Sequence, residues 1–320
     1  MRIIKRAAIT TLVISSLAFA PTMAQAVEPS FPTPEKTTPV GLNFDFTNES
    51  TVRPIGVDVN GDQLTIDSKT LLGTYNVGAS AASSNAYVPN GVSSEQISAS
   101  SIIGSDNRSR ITATKTFPSR AVVYITYNGK QHCTGWMISK NTLITAGHCL
   151  YNHKAKSWYN TSKFAFYPGR NAGTSPYGSA KATKVWTDTS YITSGNQKQD
   201  WGIIKLNKNI GNTTGWFGLK WQSASYNGTK VTVRGYPSDK KAGQLWTMSG
   251  KITSSKANNL CYSIDTYGGQ SGSPIYLSNN QVIGIHTNGT VSKRTTPCAG
   301  KYNQGVRITK SLYNIIMDVK

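Results

Sequence analysis

The feature that most constrains this chain is a succession of short apolar or alternating segments, each followed by Gly, Asn, Ser or Pro. Examples are AVVYITY (121–127), TLITAG (142–147), DWGIIKL (200–206), KVTVRGYP (230–237) and QVIGIHT (281–287). Segments of this length and composition are typical of β-strands, and many such strands separated by turn residues form a barrel or a sandwich. The sequence therefore predicts an all-β fold.

One helix is predicted, at the C-terminal end of the sequence. Leu312, Ile315, Ile316 and Val319 recur with the spacing of one helix face. Thr309 precedes them and suits the N-cap position, because its hydroxyl can accept a hydrogen bond from a first-turn N–H group. No repeat of about 20–50 residues is evident, so the pattern does not indicate a solenoid.

The first residues have the three parts of a secretory signal. A basic stretch is followed by an apolar core over residues 7–20 and by the cleavage signal AQA at 24–26. The core is too short for a membrane anchor, since a spanning helix needs about 20 apolar residues, and no later segment approaches that length. We expect residues 1–26 to be a signal peptide and the protein to be secreted without a membrane anchor.

Composition divides the remaining chain near residue 100. Residues 27–100 are rich in Pro, Ser and Thr, contain more acidic than basic residues, and lack Cys and His. Residues 101–320 contain no glutamate, although glutamate is among the commonest residues in proteins. We interpret residues 27–100 as the pro-segment of a zymogen and residues 101–320 as the mature domain.

Four cysteines lie in the predicted mature domain, at Cys133, Cys149, Cys261 and Cys298. Because no two of them form a CxxC pair, two disulfides in an oxidising compartment explain them better than a zinc site does. A Cys133–Cys149 bridge would attach His148 to a neighbouring strand, and closing a loop of about 15 residues contributes roughly 3 kcal/mol. The pair Cys261–Cys298 then follows by elimination.

The chain is strongly basic, with a formal net charge of +20. Charge of this size is compatible with nucleic acid, a cell wall or an anionic substrate. The lysines are scattered, however, with only Lys240 and Lys241 adjacent, and neither a basic helix nor an RGG run is present. We therefore expect no nucleic-acid partner.

The segment GGQSGSP, residues 268–274, contains the candidate nucleophile, Ser271. A serine reacts poorly unless a base removes its proton. The surrounding glycines allow the N–H groups of Gly269 and Ser271 to converge on one oxygen, as in an oxyanion hole. No helix pattern follows Ser271, so this is not a strand–turn–helix nucleophile elbow.

Two further residues are candidates to activate the serine. His148 ends a strand-like run in TLITAGHCLY, beside Cys149, and a disulfide there would give a general base the fixed position it requires. Asp200 directly precedes the apolar run WGIIKL. A buried carboxylate needs a partner, and the imidazole N–H of His148 would be one. Taken alone, each residue is equally well explained as structural.

The chain order His148, Asp200, Ser271 resembles that of the chymotrypsin-like serine proteases. The resemblance covers about residues 101–320. It implies two six-stranded antiparallel β-barrels, divided near residues 210–225, with a catalytic triad between them. In such enzymes serine attacks the carbonyl, histidine transfers the proton, and aspartate orients the histidine.

Additional motifs resemble the secreted bacterial glutamyl endopeptidases of staphylococci and bacilli. They are SIIGSDNRSRI, CTGWMI, TAGHCLYN, SPYG, DWGIIKL, GNTTGWFG, GYPSDK, DTYGGQSGSP and HTNG. The resemblance implies that His286 and Thr266 recognise a substrate glutamate, and that a mature amino group near Ser101 adds positive charge. It also implies a monomer that cleaves proteins and peptides after Glu, less well after Asp, and interacts with its own pro-segment. No cofactor is required for this chemistry, and a structural calcium site is left open.

Asp265 supports an alternative specificity. It lies six residues before Ser271, where an acid in trypsin-like enzymes favours Lys or Arg substrates. Against this alternative, residues 101–320 are rich in Lys and Arg and lack Glu. A Lys/Arg protease would therefore digest itself, whereas a glutamyl protease would resist itself. The role of Asp265 stays open at this stage.

A second alternative is a catalytically inactive, cationic binding protein on the same fold. All three candidate triad residues are present, which favours the enzyme. Gln270 is a further departure from the chymotrypsin-like pattern, because zymogens of that type have an acid at this position that pairs with the new N-terminus. The protein must therefore be activated in another way.

Overall fold

The apolar runs of the sequence become buried strands. The structure is a computed structural model that describes residues 54–66, 80–93, 106–289, 298 and 302–320. In chain order the first strands are β1 (Pro54–Asp58), β2 (Gln63–Thr65), β3 (Ala81–Ser83), β4 (Ser109–Ile111), β5 (Val122–Tyr127), β6 (Lys130–Met137), β7 (Thr142–Thr145), β8 (Tyr151–Asn152), β9 (Ser157–Trp158) and β10 (Phe164–Pro168). They continue with β11 (Ala182–Asp188), β12 (Gly202–Leu206), β13 (Gly218–Gln222), β14 (Lys230–Gly235), β15 (Leu245–Ser255), β16 (Asn259–Tyr262), β17 (Pro274–Tyr276), β18 (Gln281–Asn288) and β19 (Asn303–Arg307).

Helices are short except at the C-terminal end. The α-helices are α1 (Thr189–Ser194), α2 (Gly211–Thr214) and α3 (Lys310–Val319). Single 3₁₀ turns cover Ser119–Ala121, Gly147–Cys149, Thr161–Lys163 and Gln197–Gln199. Within the described part of the chain, no helix has both the length and the apolar character needed to cross a membrane.

The first barrel is formed by six antiparallel strands in the order β10-β5-β6-β7-β12-β11. A bridge between Phe166 of β10 and Ala180, just before β11, brings the two ends together. Large apolar side chains on its strands, such as Trp136, Ile144 and Ile203, are fully buried in the main core. Strands β7 and β11 of this barrel end close to the candidate base, His148, and to its candidate carboxylate partner, Asp200.

The second barrel has the strand order β17-β14-β15-β16-β19-β18 and closes through pairing of β17 with β18. Strand β13 joins β18 in parallel, and β4 adds to β15. The segment with Ser271 connects β16 to β17. The predicted all-β fold with six-stranded barrels is therefore confirmed.

Two sheet edges are covered by strands from the predicted pro-segment. In the first sheet β1 pairs antiparallel with β11, so that Pro54 lies opposite Asp188, and β2 pairs with β1. In the second sheet β3 pairs with β13, with Ala82 opposite Trp221. Composition did not predict these strands, because the backbone groups that they pair with lie far along the chain.

The C-terminal helix has the predicted cap and the predicted apolar face. The hydroxyl of Thr309 accepts a hydrogen bond from the N–H group of Leu312 at 3.2 Å. Leu312, Ile315 and Ile316 are buried in the main core. The ammonium group of Lys310 lies over the Trp221 ring of β13, 5.8 Å from its centroid, which attaches the first turn to the second sheet.

Both expected disulfides are present in the structure. Cys133 of β6 is bonded to Cys149 in the 3₁₀ turn after β7, with their Cα atoms 6.2 Å apart. Cys261 of β16 is bonded to Cys298, with a Cα–Cα distance of 5.6 Å. The first bridge therefore fixes the turn that contains His148 to the neighbouring strand.

Candidate active site

His148 and Asp200 come together at the end of the first barrel. Strand β7 ends at Thr145 and leads into the 3₁₀ turn with His148, while Asp200 stands two residues before β12. One carboxylate oxygen of Asp200 accepts the backbone N–H of His148 at 2.8 Å, and the other lies 2.7 Å from its Nδ1. The two bonds fix the imidazole in both position and tautomer, with Nδ1 as the donor.

The charge of Asp200 controls the basicity of His148. The Asp200 side chain is 3% exposed and the His148 side chain 26% exposed. Burial of the imidazole opposes its protonation, but the Asp200 carboxylate outweighs burial, and the pKa of His148 is raised above its ordinary value. The histidine is thus a stronger base than a free imidazole, and its protonated form has a counter-ion.

Two glycines beside Ser271 are required by the backbone path. Gly269 and Gly272 have φ values of +88° and +89°, in the region that only glycine adopts freely. A Cβ at Gly269 would lie 2.7 Å from the carbonyl oxygen of Tyr236, and one at Gly272 would collide with the carbonyl of Thr134. Close packing against residues of both barrels therefore explains the glycine-rich sequence around the serine.

Backbone hydrogen bonds attach the Ser271 segment to both barrels. The N–H of Thr134 in β6 donates to the Ser271 carbonyl at 2.9 Å, and the N–H of Gly272 donates to the His286 carbonyl at 2.7 Å. The sulfur of Cys149 lies 3.9 Å from the Ser271 carbonyl oxygen. The candidate nucleophile thus adjoins the disulfide that fixes the His148 turn.

The Ser271 hydroxyl is not aligned with His148 in this structure. It donates to the carbonyl oxygen of Thr287 at 3.3 Å. Rotation about the Cα–Cβ bond redirects a serine hydroxyl without any backbone movement, and catalytic hydrogen bonds commonly tighten only when substrate binds. The structure therefore brings Asp200 and His148 into contact and places Ser271 beside them with its hydroxyl turned to β18.

The backbone N–H groups of Gly269 and Ser271 are available to a ligand oxygen. Among the described residues, no acceptor takes a hydrogen bond from either group. Gly269 lies in the turn that the Gln270 N–H closes on the Tyr267 carbonyl, and Ser271 lies in the next turn, which the Ser273 N–H closes on the Gln270 carbonyl. Two nearby N–H groups without a described acceptor are what the predicted oxyanion hole requires, and that role stays a prediction.

His286 is a buried, neutral histidine in β18. It is 2% exposed, and its Nδ1 lies 2.6 Å from the Tyr262 hydroxyl. Burial lowers the pKa of His286 to about 3, and the charge of His148 acts in the same direction, against a hydrogen bond from the ring to the Gln304 backbone. Tyr262 keeps its proton because burial raises its pKa. Tyr262 therefore donates to Nδ1, which leaves the ring proton on Nε2.

The remaining candidates for substrate recognition have different surroundings. Thr266 is half-buried in the segment between β16 and Ser271. The carboxylate of Asp265 accepts the backbone N–H of Asn107 at 3.3 Å, and the Asp265 N–H contacts the Met248 sulfur at 3.1 Å. Ser101 lies outside the described residues.

A metal centre does not fit the one close group of ligand-type residues found within the described ranges. Cys133, His148 and Cys149 have their ligand atoms within 4.8 Å of one another. The two cysteines are bonded to each other, and a metal needs the thiolate form. The imidazole in this group is already bound to Asp200 at Nδ1.

Comparisons with known proteins agree with this geometry. The trypsin family profile matches residues 106–310, and the chain therefore belongs to the trypsin family of serine proteases. It is 36% identical to the glutamyl endopeptidase of Bacillus licheniformis, over 99% of this chain and 97% of that protein. The solved structure of a Glu endopeptidase in complex with MPD superposes with a TM-score of 0.62 and 34% identity, over 69% of this chain and 99% of that chain.

Another relative has a different name. A Bacillus subtilis protein named extracellular metalloprotease is 39% identical over 68% of this chain and 69% of its own length. The name applies to that protein. In the present chain the fold, the family and the disulfide at the only close ligand group of the described residues all favour serine chemistry.

Sequence reasoning missed the residues that surround His286. Tyr262 and Gln304 lie on β16 and β19, and they approach His286 only through strand pairing in the second barrel. A tyrosine directly after a disulfide cysteine gives no signal of this role. The contact between Asp265 and Asn107 was equally hidden, because 158 positions separate the two residues.

Proposed function

We propose that the protein is a secreted serine endopeptidase that hydrolyses peptide bonds after glutamate and, more slowly, after aspartate. The observation that carries this proposal is the two-point bond between Asp200 and His148, next to the Ser271 segment that the Gly272 N–H joins to the His286 carbonyl. The similarity to named glutamyl endopeptidases supports the specificity.

The proposed reaction begins with attack of Ser271 Oγ on the scissile carbonyl carbon. His148 Nε2 accepts the hydroxyl proton and then donates it to the leaving amine, so that the C–N bond breaks and an acyl-enzyme remains. Water repeats the sequence and releases the acid. Asp200 stabilises the imidazolium in each half, and hydrolysis needs no cofactor. The required rotation of Ser271 away from Thr287 is a single side-chain movement.

The negative oxygen that develops on the carbonyl requires donors that are already in place. We assign this role to the N–H groups of Gly269 and Ser271, which no described residue occupies. Removing one such donor in related chemistry costs about 100- to 1,000-fold in kcat. Gly272 supports the arrangement because its N–H fixes the segment to His286.

Specificity for glutamate is assigned to His286 and Thr266, with positive charge from the amino group near Ser101. The Nε2 proton of His286, which is donated to the Gln304 backbone in this structure, would have to be shared with the substrate carboxylate, and that opposite charge would raise the pKa of His286 because it favours the protonated form. Tyr262 holds the ring in place throughout. The absence of glutamate from residues 101–320 fits an enzyme that must not digest itself.

The alternative Lys/Arg specificity is less well supported. It needs a free carboxylate at Asp265 in the pocket, whereas that carboxylate accepts the Asn107 N–H. Asp265 therefore has a structural partner of its own. The inactive binding protein is also disfavoured, because Asp200 and His148 keep the bonds that a general base requires.

Export and maturation form a second part of the proposal. Residues 1–26 direct secretion, residues 27–100 form the pro-segment, and cleavage near Ser101 releases a monomeric enzyme. Strands β1 and β3 support binding of the pro-segment to both sheets. N-terminal sequencing of secreted Ser271→Ala tests self-processing, for instance after Glu95. Normal processing of the pure inactive variant would contradict it. A structural calcium site stays a prediction.

A peptide panel tests the proposed function directly. The peptides differ only at the residue before the cut, which is Glu, Asp, Gln, Lys or Leu. We expect Glu to be cleaved fastest, then Asp, with the others far slower, because a polar site built for one partner penalises mismatched groups. Labelling of Ser271 by a serine-directed phosphonate separates an enzyme from a binding protein. Faster cleavage of the Lys peptide would favour Asp265 instead.

A further inference from the structure

A buried guanidinium lies just after the predicted mature N-terminus. The Arg108 side chain is only 6% exposed, although it is charged. Its Nε donates to Asp106 at 2.8 Å and its Nη2 to Asp239 at 2.5 Å. Lys240 also contacts Asp106, at 2.6 Å. The hydrogen bond from Arg108 holds the pKa of Asp106 well below its usual range, so the carboxylate stays ionised and the group stays paired.

Arg108 has a third partner, which belongs to the catalytic segment. Its Nη1 donates to Asp239 at 3.1 Å and also to the side-chain oxygen of Gln270 at 3.3 Å. Gln270 is 1% exposed, and the same oxygen accepts the backbone N–H of Tyr267 at 2.9 Å. The Gln270 amide therefore connects the guanidinium to the turn that includes Gly269 and ends at Ser271.

Residues 106–108 also contact the beginning of the segment that contains Ser271. The backbone N–H of Asn107 donates to the Asp265 carboxylate at 3.3 Å, and β4 fixes the following residues to β15. Residues 106–108 thus bind the segment 265–271 at two points, one before Thr266 and one directly before Ser271. Two points restrain both translation and rotation of a short turn.

We propose that Arg108 is a positioning residue, which acts through Gln270 to keep the N–H groups of Gly269 and Ser271 directed at the oxyanion. The inference rests on the proposed function. It explains how the turn can be held in place although Gln270 occupies the position of the acid that precedes the serine in chymotrypsin-like zymogens. An internal guanidinium, already neutralised by Asp106 and Asp239, supports a neutral glutamine at that place.

The test compares Arg108→Met with Arg110→Met in the secreted, processed protein. Arg110 is the matched control, because it is an exposed arginine two residues further along the chain. Its guanidinium makes one long contact, 3.5 Å to Asn171. With the best peptide substrate, Arg108→Met should lower kcat about 10- to 100-fold and leave KM within about twofold, since it misaligns donors that act in the transition state. Arg110→Met should match the wild type.

A pair of inhibitors distinguishes positioning from general damage. A peptide boronic acid places an oxygen in the oxyanion hole, whereas the same peptide with hydrogen in place of the boronic acid only fills the substrate sites. Arg108→Met should weaken the first by the same factor as kcat and leave the second unchanged. Equal loss for both ligands, or unchanged kcat in a folded Arg108→Met, would overturn the proposal.

Gln270 provides a second route if Arg108→Met is not secreted. Gln270→Met removes the acceptor but keeps the ion pairs of Arg108 with Asp106 and Asp239, and should show the same kcat loss. Full activity of Gln270→Met would overturn the proposal. If the wild-type protein had no peptidase activity, the proposed function would be wrong, and this inference, which rests on it, would be wrong as well.

Discussion

The two histidines at this site, His148 at the edge of the first barrel and His286 in the second, have pKa values shifted in opposite directions. Burial acts against protonation of both. His148 faces the Asp200 carboxylate, which outweighs burial, whereas His286 faces the neutral hydroxyl of Tyr262. The difference teaches that the partner of a buried imidazole, and not burial alone, decides whether it accepts a proton.

Each environment suits one task. The proposed base must accept a proton during the reaction, and a carboxylate beside it stabilises the product of that transfer. The proposed recognition residue must stay neutral until an anionic side chain arrives. If it were charged permanently, the unpaired buried charge would destabilise the empty enzyme.

The largest effect is expected from removing the nucleophile while both histidines stay in place. Ser271→Ala should lower kcat about 10⁶-fold, because neither residue can replace the attacking oxygen. Binding of a glutamate peptide should be almost unchanged, since the His286 region is untouched. The rate of peptide turnover measures the first quantity, and calorimetry measures the second. Substantial turnover by pure Ser271→Ala would disprove the serine mechanism.

Replacing the carboxylate partner should make the His148 environment resemble that of His286. Asp200→Asn should lower kcat about 10⁴-fold, because an amide can select the wrong tautomer. The pKa that governs kcat/KM should also fall. In the wild type, activity is lost as pH decreases through a value above 6.5, where His148 becomes protonated. A pH profile checks this, and an unshifted profile in Asp200→Asn would contradict the role of Asp200.

A smaller and more selective effect is expected at His286. His286→Ala should reduce the preference for Glu over Gln about 100-fold, because the proposed carboxylate donor is lost. Hydrolysis of a small uncharged active ester should change little. Tyr262→Phe is the milder companion, since it removes only the hydroxyl that orients the ring, and about a tenfold loss of preference is expected.

Two results would contradict the proposed role of His286 in recognising the substrate carboxylate. Equal losses for the peptide and the active ester would place His286 in the reaction itself or in the folding of β18. An unchanged ratio of Glu to Gln cleavage would move recognition of the carboxylate to Thr266 and the N-terminal amine.

The smallest expected effect concerns stability, where the two histidines should give opposite pH slopes. The lowered pKa of His286 means that the unfolded chain binds more protons between pH 6.5 and about 3, so acid destabilises the fold. Between pH 6.5 and 5, the free energy of unfolding of His286→Gln should therefore decrease by about 2 kcal/mol less than that of the wild type. Chemical denaturation in a Ser271→Ala background avoids self-digestion during the measurement.

The raised pKa of His148 has the opposite sign. Its stabilising contribution is complete below pH 6.5 and is lost as pH rises through the higher folded value. His148→Gln should therefore be more destabilising in mild acid than in mild base. Parallel pH slopes for the two glutamine variants would contradict the comparison.

The sequence predicted those parts of the molecule that depend on local pattern. The buried runs became β5, β7, β12, β14 and β18, and Thr309 caps the C-terminal helix. The short motifs around Ser271 and His148 were also recognisable, because glycine positions and disulfide cysteines constrain the backbone over a few residues.

Contacts between distant segments were not predictable in the same way. Tyr262 reaches His286 across the second barrel, and Arg108 reaches Gln270 from 162 positions away. Neither pair has a local pattern, since burial and strand order bring them together only after folding. The Thr287 bond of the Ser271 hydroxyl is likewise a matter of side-chain rotation, which sequence does not specify.

The pairing of β1 with β11 and of β3 with β13 has a consequence for solubility after maturation. In the processed enzyme proposed above, loss of the pro-segment would expose the backbone of both edges, and free edges promote aggregation between molecules. Each edge carries a lysine near its middle, Lys184 in β11 and Lys220 in β13. Electrostatic repulsion between identical edges would then replace the physical cover that the precursor provides, and would keep concentrated enzyme dispersed.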